Sequence, residues 1–156
     1  MVTVARIETG DSGITIDEVK SYINLIGNER DDELQVMLDA AIAAVEDYCN
    51  ISLRPTTWKL SQNLATDNQK LFYPPVIEVV SIDDYDGEKL QYKMLQDVIY
   101  LDTASSFVCT YKTGEAEGAN RYKAAVLAYT GLLFDGNDDN NSFNIVMSRY
   151  LPYRML

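Results

Sequence analysis

A chain of 156 residues, 47 % hydrophobic and 24 % charged, has the size and balance of one folded domain and can bury about 68–70 % of the surface its unfolded form exposes. Thirteen basic against twenty-four acidic residues leave a net charge of −11, so the average surface repels phosphate and sequence-independent binding of nucleic acid is excluded. Histidine is absent, which removes the commonest metal ligand and the usual proton carrier near neutral pH, and Cys49 and Cys109 fit neither a metal spacing nor a disulfide framework.

The first 14 residues, holding Gly10-Asp-Ser-Gly13, read as a flexible polar lead. They lack the apolar block of a secretory signal, and no run in the chain approaches the ~18 apolar residues of a membrane span, so a soluble cytoplasmic protein is expected. Thr15 stands three residues before Glu18, the spacing of a capping box, and predicts a helix to about Leu25. Its apolar side would be Ile16, Val19, Ile23 and Ile26, with Gly27-Asn28 as the exit. A long helix follows from Asp31 to Cys49, closed by Asn50, with Asp31, Asp32 and Glu33 in the first turn, where exposed amides favour carboxylates. Leu34, Met37, Leu38, Ala41, Ile42, Val45 and Cys49 recur at three and four and mark one buried side. Ala40, Ala41, Ala43 and Ala44 widen it with a small-residue surface that a second helix can approach closely.

From Pro55 onward the pattern changes to alternation. Trp58-Lys-Leu-Ser-Gln62 predicts a strand with one covered face and Trp58 as a core anchor. Pro74-Pro75 parts two further strand-like runs and marks a bend or an edge. Asp86-Gly87 is the strongest hairpin signal in the chain. With Val98–Leu101 and Phe107–Tyr111 the set comes to about five short strands, paired antiparallel. Helical pattern returns at Tyr122–Phe134, weakened by about 1 kcal/mol at Gly131, then resumes from Phe143 to about Tyr150. The expected class is α+β: a bundle of about four helices with a central antiparallel β region over about residues 56–112. It would form a single domain with a lead at 1–14, helices at 15–50 and 120–150 and a tail at 151–156.

Two constellations invite chemistry. Asp135, Asn137 and Asp139 alternate like the first ligands of an EF-hand, but Asn140 replaces the required glycine and Val146 stands where the bidentate glutamate belongs, leaving a hydrated loop. Asp83, Asp84, Asp86 and Glu88 supply the paired carboxylates of an acidic hydrolase, yet carboxylates beside a turn are ordinarily solvated, and no nucleophile elbow, phosphate loop or zinc motif accompanies them. No metal, cofactor or catalytic activity is therefore expected. Eleven tyrosines remain, each apolar along its ring and polar at its tip; they either complete the interior or anchor a partner.

The order of the pieces carries more. A short helix ends before an Asp-rich turn, then come Leu34 and the Ala40–Tyr48 run with its Val-Glu-Asp-Tyr, Leu53-Arg54-Pro55, Tyr73-Pro-Pro-Val-Ile-Glu-Val-Val-Ser-Ile, the Asp86-Gly87 hairpin, an alanine-rich third helix and Leu151-Pro-Tyr-Arg154. Over about residues 15 to 154 this resembles the phage head-tail connector family, the head completion or adaptor proteins that dock as a ring beneath the portal of a tailed bacteriophage. It departs from the family where Phe134 leads into an Asp/Asn loop and not into a longer polar continuation.

The resemblance implies a structural virion component that extends the DNA channel, free in the host cytoplasm during assembly. Its partners would be the portal protein, a tail or head-closure protein and further copies of itself, twelve in the virion; DNA would pass through without sequence-specific binding, and no membrane is involved. The candidate partner interface comprises Tyr150, Tyr153 and Arg154 of the tail, Asp84 and Asp86 of the hairpin, and Ala40 and Ala44, whose face would meet either the helix beginning at Arg121 or the next subunit. The alternatives are a head-closure or tail-completion protein and, from another class, the acidic hydrolase.

Overall fold

Thr56, Trp58, Leu60 and Gln62 are all buried while their neighbours are more open, the signature of a strand with one covered face. A computed structural model describes residues 1–114, 119–137 and 139–150, with backbone alone for 119–121, and divides them into a sheet unit and a helical unit. The sheet unit takes Met1–Asp11 and the segment that starts at Arg54. Its strands are β1 (Val2–Thr9), β2 (Thr56–Lys70), β3 (Val76–Asp83), β4 (Tyr92–Leu95) and β5 (Val98–Thr113). All pairings are antiparallel in the order β1-β2-β5-β3, and β4 lies on β5 beyond the end of β3. Trp58, Leu60, Leu71, Ile82, Ile99, Leu101, Phe107, Cys109 and Tyr111 form one apolar cluster on the covered face.

The expected helical bundle with a central β region is corrected here. Helix and strand take nearly equal shares of the described residues, so the class is α+β with a five-stranded sheet as half of the architecture. Two features were hidden from pattern reading. Val2–Thr9, expected as a flexible lead, is an edge strand paired with Thr56–Gln62. β2 runs eight residues beyond Gln62, and β5 joins the two runs read as separate strands. Residues 63–70 are mostly polar, and their one large apolar residue, Leu64, is exposed, so alternation is silent there and only the ladder to β5 makes them a strand.

The helical unit holds α1 (Ile16–Ile23), α2 (Asp31–Cys49), α3 (Ala119–Phe134) and α4 (Asn140–Tyr150). The capping box is formed: Glu18 N–H donates to Thr15 Oγ1 at 3.3 Å, and Thr15 N–H to Glu18 Oε1 at 3.4 Å. α1 stops sooner than expected, at Asn24 in the left-handed conformation, which leaves Ile26 outside the apolar side and 94 % exposed. On α2 the buried stripe is Leu34, Leu38, Ala41, Ile42, Val45, Glu46 and Cys49, with Asn50 as the left-handed cap. α3 packs on α1, α2 and α4. Gly131 faces α1, where a Cβ would lie 3.4 Å from Ile23 Cγ2, an ordinary contact distance. Among the described residues no helix is long and apolar enough to cross a membrane.

Candidate functional site

One of the hairpin carboxylates, Asp84, is spent on the turn. Asp84 Oδ1 accepts the backbone N–H groups of Asp86 and Glu88, both at 2.9 Å, so its negative charge caps the loop it stands in. Gly87, at φ +87°, donates to Asp84 O at 3.1 Å, and the two arms meet again at Asp83 and Lys89. Asp86 and Tyr85 are left exposed at the tip. The arrangement offers solvated charge and one aromatic ring, which suits contact with another molecule better than proton transfer.

The loop after α3 is likewise helix-end chemistry. Gly136, at φ +79°, lets the chain leave α3, with Asn137 N–H donating to Leu132 O at 2.8 Å. Asp139 opens α4: its Oδ1 accepts Ser142 N–H at 2.8 Å and its Oδ2 accepts Ser142 Oγ–H at 3.0 Å, which holds its carboxyl below the usual range. Among the described residues no group of three Cys, Asp or Glu side chains has the geometry to hold a metal. Neither of two surface hollows lined by described residues holds an acid pair. One, of about 250 Å³, is lined by Glu8 as its single carboxylate, and one of about 470 Å³ by Asp17.

The tyrosines divide between interior and surface. Tyr111 is buried, its hydroxyl donating to Phe72 O at 3.1 Å and accepting Phe72 N–H at 3.2 Å, and burial raises its pKa well above the ordinary tyrosine range. Tyr73 stacks on Trp58 at 4.5 Å between ring centres, and Phe143 is wedged edge-on between Tyr48 and Tyr129. Tyr22, Tyr85, Tyr92 and Tyr100 stand 38–56 % exposed. Tyr150, a candidate anchor, is half-buried at the end of α4, and its hydroxyl bonds to that of Tyr22, whose pKa burial and this bond raise. Tyr153 and Arg154 lie outside the described residues.

Ala40 is exposed and Ala44 half-buried, on the side of α2 turned away from the Leu34–Cys49 stripe; Val36, one turn before Ala40, is 69 % exposed. Asp84 and Asp86 share the hairpin turn while Ala40 lies on α2, and neither of the two described hollows includes any of them. Sequence reasoning passed over the edge residues Ile7, Ile77 and Val80, which are 56, 66 and 50 % exposed; an aliphatic residue inside a strand-like run carries no sign of which way it points until its partners are known. Both thiols are interior, and burial pushes Cys109 up to about 12.

Residues 13–88 match a family model described as phage gp6-like head-tail connector protein. Three solved structures share the fold along almost the whole chain. A chain of the neck of an empty GTA particle computed with C6 symmetry is 16 % identical at a TM-score of 0.74, with 99 % of this chain and 97 % of that one covered. A chain of the virion of a native gene transfer agent (GTA) particle is 17 % identical at 0.71, with 99 % and 96 % covered. One from the neck of a native GTA particle computed with C12 symmetry is 17 % identical at 0.70, with 99 % and 97 % covered. No curated protein matches the sequence.

Proposed function

We propose that this chain, similar over residues 13–88 to the phage gp6-like head-tail connector family, is a structural adaptor of a phage-like particle and works as a ring in the neck, between portal and tail. The observation that carries the reading is the agreement of two independent likenesses. The family match reaches the helices and the sheet only as far as the hairpin, and the likeness to neck chains extends the fold over 99 % of the chain. A rigid four-helix unit joined to an antiparallel sheet suits a part whose work is to hold neighbours in position. Of the hairpin carboxylates, Asp84 is used as a turn cap and Asp86 and Glu88 stand in solvent, an arrangement that does not favour hydrolysis.

In this reading the copies close a ring by head-to-tail contacts, which requires each subunit to offer two different, complementary surfaces. Twelve copies would match a neck of C12 symmetry such as the one its structural relative belongs to. The exposed tip of the hairpin and the Ala40 side of α2 are further surfaces open to portal or tail proteins, and residues 151–156, following the half-buried Tyr150, reach the portal through Tyr153 and Arg154. Before joining the virion the subunit stays in the host cytoplasm.

Coexpression with the portal protein of the same particle, followed by electron microscopy, tests the reading. Added ring density below the portal is the expected result, and a chain that never associates with the portal overturns it. Removing residues 151–156 should abolish copurification with the portal while leaving the melting temperature unchanged. An equal loss of folding would assign those residues to the interior of the subunit.

A further inference from the structure

Among the described residues the sheet ends at β1 on one side and at β3, with β4 beyond its end, on the other. Each edge strand is eight residues long, and each is interrupted where the pairing register steps over an aliphatic residue. On β1 the register passes from Arg6 to Glu8 over Ile7; on β3 it passes from Val76 to Glu78 over Ile77 and from Val79 to Ser81 over Val80. These bulge residues are left without a cross-strand partner and stand 56, 66 and 50 % exposed. Bulges normally protect an edge from indiscriminate pairing. Three large aliphatic side chains exposed at them leave the protection incomplete in one register alone.

Their heights along the strands correspond. The pairings align Glu8, Thr57, Lys112 and Glu78 in one row across the sheet, and Arg6, Trp58, Tyr111 and Val79 in the next. Ile7 falls between these two rows. Ile77 falls just outside the first and Val80 just outside the second, so Ile7 on one edge stands at the height of the gap between Ile77 and Val80 on the other. Directions correspond as well: three successive antiparallel pairings leave β1 and β3 running opposite ways, so β1 of a second copy set beside β3 continues the antiparallel order.

We propose that the ring closes through this seam, with β1 of one copy pairing along β3 of the next and Ile7 seated between Ile77 and Val80. The proposal rests on the adaptor reading above and names its subunit contact. A rotation about an axis parallel to the strands carries one edge onto the other without changing height, which is the operation a ring applies. The occupant is a second copy because the two edges are level and opposite in direction within one sheet. Glu8 and Glu78 fall in the same row and face each other across the seam, with Lys112 Nζ 3.8 Å from Glu78 offsetting one of them, so attraction comes from apolar burial and added salt leaves the ring intact.

Two charged variants used together test it. Ile7→Lys damages only the β1 edge and Ile77→Glu only the β3 edge. Each alone, coexpressed with the portal, should lose the ring while keeping the wild-type melting temperature. An equal mixture should restore it, because unaltered junctions then alternate with Lys–Glu junctions around an even ring. Ile77 Cδ1 lies 2.5 Å from where a Cβ on Gly114 would stand, so if Ile77→Glu does not fold, Val80→Glu replaces it. Single variants that assemble like the wild type, or folded variants whose mixture stays unassembled, overturn the seam and leave the adaptor reading standing. A wild-type chain that builds no ring on the portal overturns both.

Discussion

Glu46 illustrates how a residue can be legible in type and illegible in role. Its place near the end of α2, within the Val-Glu-Asp-Tyr run, is a surface position by composition, yet it is 2 % exposed and its Oε2 accepts the N–H of Leu53 at 2.9 Å. The carboxylate ties the segment after α2 back onto the helix, while Asn50 at φ 55° turns the chain and Ile51 N–H donates to Glu46 O at 3.1 Å. Glu46→Ala takes this acceptor from a buried amide and should lower unfolding free energy by roughly 1–3 kcal/mol in a urea titration. Glu46→Gln keeps an acceptor and should cost less. Trp58 was readable as an anchor from its alternation. That its Nε1–H donates to Thr113 Oγ1 at 2.9 Å, with the Arg6 guanidinium 4.9 Å from the ring, was not, because those partners lie 55 residues later and 52 earlier in the chain.

At the scale of elements, the helical unit is held at its surface by carboxylates. The Lys123 ammonium beside Glu18, the Arg30 guanidinium forked onto Glu33 and the Ser142 amide on Asp139 each hold a carboxyl below its ordinary value, 4.5 for the glutamates and 3.8 for the aspartate. A lowered folded pKa means that the contribution is complete above the ordinary value and is lost as pH falls through the lowered one. Helical melting temperature followed by circular dichroism should therefore hold steady down to about pH 4.5 and fall below it, and less steeply in high salt because the groups are exposed. The helices themselves were legible: capping box, first-turn acids and the buried stripe are local signals. Residues 2–9 and 63–70 were not, since a polar or mixed segment becomes a strand only when a neighbour supplies its hydrogen bonds.

For the whole molecule the decisive quantity is charge. In the proposed ring, a net charge of −11 per chain would make a channel wall that repels phosphate, so DNA would pass without sticking. Assembled rings should retain no DNA in a filter assay even at low salt. Retention that falls steeply as salt rises would show phosphate contacts and contradict this picture.

The sequence by itself determined the four helices, the capping box at Thr15, the cap at Asn50, the hairpin at Asp86-Gly87 and the acidic surface, because each rests on residues within a few positions of one another or on composition, and the connector resemblance through the order of such pieces along the chain. Tertiary structure alone decided that the amino-terminal segment joins the sheet, that β2 and β5 form its long centre, that Asp84 is a turn cap, and that Ile7, Ile77 and Val80 stand at its two edges. A helix draws each backbone hydrogen bond from four residues away, whereas a strand draws its own from any distance along the chain, so which edges stay free is settled only after every strand has found its neighbour.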